Sequence, residues 1–265
     1  MYLEPMCYDT LSLTKRSLDY AQRMGFSPET QKELEEQFQR LKRSQQPLFH
    51  APGFAHPTLP TMPHPDAVEL SVWGLVPHWV RTADEARKIW NKTLNARMET
   101  LFDKPSFRTA ARKGRCLVVT DGFFEHHHLP RKTQAFLIQH QQEQPLILGG
   151  IQSLWIHPET DALWRTFSIV TGPANALLRK IHNNPKVASP RMPLILSPGE
   201  EEAWLSEDER EARALLAAYQ VQPFPAEALK AHPVAPLRGK QALGNRPEAL
   251  EEIQVKELPA FWAND

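Results

Sequence analysis

Six short apolar stretches, each no longer than one strand, constrain the fold of this chain more than any other feature. Val68, Leu70 and Val72 alternate with polar neighbours, the period of a half-buried strand. Cys116–Val119, Phe136–Ile138, Leu146–Leu148, Phe167–Val170 and Pro193–Leu196 are brief continuous runs. Helical patterns fall between only some of them, which argues an α+β fold with a largely antiparallel sheet rather than alternating βαβ units. With 265 residues, 41% hydrophobic and 23% charged, the chain has room for one large core. No internal repeat is visible, and residues up to about 220 read as one domain. No apolar run approaches the roughly 18 residues of a membrane helix. The first residues lack the pattern of a signal peptide, and two cysteines make no disulfide framework, so a cytoplasmic protein is expected.

Local signals place the remaining elements. Residues 8–13 read as a short strand and the following segment as a helix reaching Met24, stopped by Gly25. Ser27-Pro28 has the N-cap and N1 chemistry of a second helix, whose apolar stripe is Leu34, Phe38 and Leu41. Helices are expected at 83–90, 105–113 and Ala174–Ile181, and Ser197-Pro198-Gly199-Glu200 has capping-box spacing. The proline-rich stretch from Pro47 to Pro65 reads as an ordered loop, because Phe49, Phe54, Leu59 and Met62 anchor it.

Several segments can carry chemistry. Cys7 is either a small buried hydrophobe on the first strand or a nucleophile. Trp73-Gly74-Leu75-Val76-Pro77-His78-Trp79 is either a core corner or a platform on which bases stack. Formal net charge is zero, which excludes a globally basic nucleic-acid coat, yet residues 81–115 hold ten basic and four acidic side chains, a local +6. That stretch, with Arg97, Arg108 and Arg112, is a phosphate-binding patch or a solvated helix face. Glu125 closes Asp-Gly-Phe-Phe-Glu after a strand, so it is an acid/base group among aromatics or a water-facing strand end. His126-His127-His128 share no single face of a strand and lack a completing ligand set, so neither a metal nor any other cofactor is expected. His182 ends a helix, as a cap or as a catalytic group.

In order and wording, Met6-Cys7, Trp-Gly-Leu-Val-Pro-x-Trp, Asn95-Ala-Arg-x-Glu-Thr, Lys104-Pro-Ser-Phe-Arg, Asp-Gly-Phe-Phe-Glu, Ile-His and Arg191-Met-Pro resemble the SOS response-associated peptidase family. The resemblance covers roughly residues 6–197. It implies a single compact α+β domain with a barrel-like β core surrounded by helices, placed here at 6–222 with residues 223–265 as an extension packed on it. It also implies binding of single-stranded DNA containing abasic sites, as a monomer, with covalent capture of the lesion by an N-terminal cysteine. Carried over residue by residue, Cys7 is the nucleophile and Asn95 positions it. Arg97 contacts the DNA backbone, Glu125 is the acid/base, and His182 lies near the lesion. Trp73, Pro77 and Trp79 form a stacking floor, and Arg108, Arg112 and Arg191 join Arg97 as DNA contacts. Three places depart from the family's pattern. Met1–Met6 precede Cys7, so the active chain is expected to begin at Cys7. His126 stands where the family has tryptophan, and Asn183–Pro190 lengthen the loop between His182 and Arg191. Two other functions remain open at this level: a Cys7/His182 thiol peptidase, or a non-covalent single-strand binder.

Overall fold

A computed structural model of the chain describes residues 9–12, 20, 27–44, 46–130, 132–256 and 258. Five strands close on themselves: β3 (Thr58–His64), β4 (Ala67–Trp73), β6 (Arg115–Thr120), β9 (Leu146–Ile156) and β10 (Leu163–Pro173). The order β10-β4-β3-β6-β9 returns to β10, because β9 and β10 also pair. This is the barrel-like core the family resemblance implied, and closure removes the unpaired edges an open sheet would expose. Pairing is antiparallel around the ring except between β10 and β4, and the short strand β5 (Asn95–Arg97) also lies parallel to β10. Every residue of β6 is buried, which is why its sequence is a continuous apolar run rather than an alternating one. Its outer cover is helix α5 (Glu200–Leu205), whose Trp204 donates its indole N–H to the Cys116 and Gly150 carbonyls. A Cβ at Gly149 would lie 2.7 Å from Leu194 and 3.3 Å from Trp204, so glycine is what lets that cover close.

A second, fully antiparallel sheet leans on the barrel in the order β12 (Leu229–Pro233), β8 (Thr133–His140), β7 (Gly122–His128), β1 (Asp9–Ser12), β2 (Leu48–Pro52). Alternation along it separates two apolar layers. Phe123, Phe136 and Ile138 join the main core, whereas Leu11, Phe124, Ala135 and Leu137 face a smaller cluster with Val234 and Leu237.

Of the expected helices, α1 (Pro28–Ser44) begins as read, with the Thr30 N–H donated to Ser27 Oγ, and Leu34 and Phe38 are buried. The side chain of Leu41 lies outside the described residues, as does the expected first helix apart from helical, buried Tyr20. Helix α2 (Ala83–Trp90) matches expectation, and α3 (Arg108–Lys113) starts three residues late because Lys104–Phe107 forms a turn. Helix α4 (Ala176–Ile181) starts two residues late, where the Asn175 side chain caps it by accepting from the Leu178 N–H. At α5 the carboxylate half of the capping box forms, Glu200 accepting from the Ser197 N–H, but the helix opens only after Gly199. Helix α6 (Glu209–Val221) follows α5. No helix among the described residues is long and apolar enough to cross a membrane.

The proline-rich stretch is a correction. It is not a loop but contains β2 and β3. Pro52 ends β2, and Pro63 falls within a register shift between Thr61 and His64, where a missing N–H breaks no regular ladder. Three of the expected anchors, Phe49, Leu59 and Met62, are therefore strand residues, whereas Phe54 sits exposed in the 3-10 turn between the strands.

Arg115 belonged to the basic stretch, but it is buried and its guanidinium donates to the Trp204, Ala111 and Ser206 carbonyls, stapling α5 and the end of α3 to β6. Arg115→Met should lower unfolding free energy by about 2–4 kcal/mol, since three carbonyls lose a charged donor. Urea denaturation checks this, and an unchanged midpoint would show that the staple holds nothing.

Candidate active site

Glu125 shares the inward face of β7 with Phe123, two residues before it, and is 4% exposed. Its Oε1 accepts from the His126 N–H at 2.8 Å, and its Oε2 lies 3.3 Å from His182 Nδ1. His182 is delivered by α4: its N–H closes the last turn onto the Leu178 carbonyl, and its ring is 1% exposed. The end of α4 is laced to β7. Asn183 accepts from the His128 N–H at 2.6 Å and donates to the His128 carbonyl, while His127 Nδ1 lies 3.1 Å and 3.2 Å from the Lys180 and Ile181 carbonyls. His127 and Asn183 thus set the distance between Glu125 and His182. Among the described residues no three His, Cys, Asp or Glu side chains converge as metal ligands.

Burial alone would lower the His182 pKa, but the Glu125 carboxylate, helped by the Arg191 backbone, outweighs it and raises the imidazole above its ordinary value. The imidazolium therefore persists to higher pH than in a free histidine. His126, on the opposite face of β7, moves the other way: burial lowers it, and nearby Glu125 and Asp9 only partly compensate.

Strand β10 gathers the next group. Ile169 pairs with Asn95 and Thr171 with Arg97 on one edge, while Pro173 pairs with Arg191 of β11 (Arg191–Pro193) on the other. Asn95 is buried and Arg97 exposed. Arg191 is buried, grips both Glu99 oxygens at 2.8 Å and donates to the Thr171 carbonyl at 2.6 Å. Burial would raise the Glu99 carboxyl, yet the two-pronged Arg191 contact reverses this and leaves it below the usual range. Arg191 therefore spends its guanidinium holding β11 against the turn after β5, by way of Glu99 and the Thr171 carbonyl.

Trp73 is a second correction. It is fully buried, stacks on Phe167 with ring centroids 6.2 Å apart, and donates its indole N–H to the Leu94 carbonyl, so it offers no face to a base. Gly74, at φ +117°, turns the chain where a Cβ would collide with Trp90, and Trp79 emerges beyond it, 48% exposed. Pro77 and Trp79 line a cleft of about 310 Å³ together with Thr109 and Lys113 of α3. Arg108 and Arg112 are exposed on the same helix, Arg112 paired with Glu209 at 3.0 Å. The candidate DNA contacts thus fall into two sets, one at the end of β10 and one around Trp79 and α3.

Cys7 lies outside the described residues. Sequence reasoning missed Glu99, His127 and Asn183. Glu99 stood within a quoted motif, and His127 within the triplet considered for metal. Asn183 gave no signal, because its role depends on where α4 ends.

Residues 6–240 match the family model described as SOS response associated peptidase (SRAP). Abasic site processing protein YoqW of Bacillus subtilis is 34% identical over 180 residues, spanning 68% of this chain and 74% of its own. Abasic site processing protein HMCES of Gallus gallus is 31% identical over 214 residues, 71% of this chain and 59% of its own. A crystal structure of a protein from Bacteroides thetaiotaomicron superposes with a TM-score of 0.74 at 30% identity, covering 94% of this chain and 100% of that one. With the family model spanning most of its length and a relative 34% identical over 68% of it, the chain belongs to the SRAP family.

Proposed function

We propose that this protein binds single-stranded DNA at abasic sites and captures the opened sugar covalently through Cys7. The names of its relatives YoqW and HMCES support the substrate. The observation that carries the chemistry is the buried pair made by Glu125, on the strand beside β1, and His182 at the end of α4. Asp9 pairs with Phe124, one residue from Glu125, and Cys7 stands two positions before Asp9 in the chain, a reach of at most about 7 Å.

The chemistry follows from the groups available. A chain beginning at Cys7 carries an amine and a thiol on adjacent carbons. The amine, with a reference pKa of about 7.7–8.0, is partly neutral at physiological pH. Its nitrogen attacks the aldehyde carbon of the ring-opened sugar, and the resulting hydroxyl leaves as water to give an imine. That departure needs a proton, which the His182 imidazolium supplies, while Glu125 holds the cation and takes up the proton from the attacking amine. The Cys7 thiolate then adds to the imine carbon and the nitrogen is protonated, closing a thiazolidine with net loss of one water. Asn95 orients the amine, and Arg97 meets the neighbouring phosphate. Pro77, Trp79, Arg108 and Arg112 guide the strand, and Arg191 supports this surface through Glu99. The working domain is the one spanning residues 6–222, followed by a C-terminal extension, and it acts as a cytoplasmic monomer.

The test is to mix protein beginning at Cys7 with an oligonucleotide carrying one abasic site. A denaturation-resistant adduct one water lighter than the sum of its parts is expected. A chain retaining Met1–Met6 should bind the DNA but form no stable adduct, because an amide nitrogen cannot form an imine. No adduct from the Cys7 chain would overturn the proposal. Peptide hydrolysis would then favour a thiol peptidase, and salt-sensitive binding alone a non-covalent binder.

Glu125→Gln should slow adduct formation by about 10²–10⁴-fold while leaving the Kd for undamaged strands within about twofold. Because Glu125 raises the His182 pKa, the alkaline limb of the wild-type rate lies above the ordinary histidine value and should move to lower pH in Glu125→Gln. The same sign governs stability: the pair contributes fully below the unfolded histidine pKa, and its contribution fades as pH rises through the raised folded value. A pH–rate profile of both proteins under single-turnover conditions checks the shift, and coincident limbs would remove His182 from the mechanism.

The two tryptophans should separate cleanly. Trp79→Ala should weaken single-strand binding by about 1–3 kcal/mol without changing stability. Trp73→Ala should instead lower unfolding free energy by about 3–5 kcal/mol. Arg97→Ala should weaken damaged and undamaged strands alike and reduce the salt slope by about 0.7. Fluorescence titrations at several salt concentrations, with thermal melts, decide all three.

A further inference from the structure

The segment after β12 folds back over the strand that leads to Cys7. Leu237 packs in the same small cluster as Leu11 of β1. Its neighbour Arg238 reaches the next residue on that face, placing one guanidinium nitrogen 2.7 Å and 3.0 Å from the two Asp9 oxygens. Asp9 is 2% exposed, and His50 Nε2 of β2 approaches the same carboxylate at 2.9 Å. Further along the segment, Asn245 straps the tail to β2, accepting from the Phe49 and His50 N–H groups and donating to the Pro47 carbonyl. A buried carboxylate needs its partners, and removing Arg238 takes away a charged one. Asp9, His50 and Arg238 lie on the face of β7 that carries Phe124 and His126, opposite the one that carries Glu125.

Resting on the crosslinking function proposed above, we propose that Arg238 is a positioning residue for the Cys7 nucleophile. Through its ion pair with Asp9, the C-terminal segment pins the start of β1 against β2 and β7 and so constrains the short length of chain that joins Asp9 to Cys7. His50 and the Asn245 strap complete the latch. In this role Arg238 acts through Asp9.

The test compares single-turnover crosslinking at saturating abasic-site DNA for protein beginning at Cys7, with DNA affinity and thermal midpoint measured in parallel. Arg238→Gln should slow crosslinking by about 10–100-fold, the scale on which small misplacements of reacting groups act, with the DNA Kd within about twofold. Arg238→Lys should recover most of the rate, because it restores a charge to Asp9. Asn245→Ala, which loosens the strap without removing charge, should slow the reaction in the same direction and keeps the test informative if Arg238→Gln folds poorly. Unchanged rates in Arg238→Gln and Asn245→Ala would overturn the latch. So would a loss of rate that only tracks loss of folded protein or of DNA affinity, or a Lys variant no better than Gln. Absence of any adduct from the wild-type protein would instead overturn the crosslinking function itself, which separates the two failures.

Discussion

Both edges of β10 are paired through its middle, from Thr166 to Thr171, and the rest of the molecule depends on that arrangement. One edge pairs with β4 and then β5, the other with β9 and then β11. The β4 pairing closes the barrel, so the five strands hide their edges from solvent and from other chains. The β5 and β11 pairings then carry Asn95, Arg97 and Arg191 to one end of that strand. Residues almost a hundred positions apart meet because one strand is shared.

Burial decides the electrostatics at this end. A carboxylate and an imidazole taken out of water cost free energy unless each stabilises the other's charge, and Glu125 does this for His182. The same rule explains Arg191 and Glu99, two charges partly withdrawn from solvent and locked bidentate. It also gives the histidine triplet its purpose. His127 turns inward beside Phe136 and meets two α4 carbonyls, whereas His126 faces the outer layer. Three identical side chains differ in role because a strand alternates its faces.

The tryptophan motif makes the same point. Trp73 and Trp79 look equivalent in the sequence, yet Gly74 turns the backbone between them at a positive φ, leaving one ring in the core and the other at a cleft. The basic stretch divides similarly. Arg97 and Arg108 are exposed, Arg112 is paired with Glu209, and Arg115 is buried as a staple. Net charge over a window counts such residues alike, because it ignores which carbonyls and carboxylates the fold brings near.

The sequence by itself determined the α+β class, the apolar strands, most helix positions and the set of motifs that mark the family. These depend on local periodicity, capping chemistry and residue identity, all of which act over a few positions. Only the tertiary structure decided that prolines 52, 60 and 63 sit in strands, Pro52 at a strand end and Pro63 at a bulge, where a missing N–H breaks no regular ladder. It alone decided that Trp73 is core, that Arg191 is spent on Glu99, and that Asn183 and His127 hold His182 to Glu125. Each of these depends on partners distant in the chain, and burial and pairing are properties of where the chain crosses itself, which no window of sequence contains.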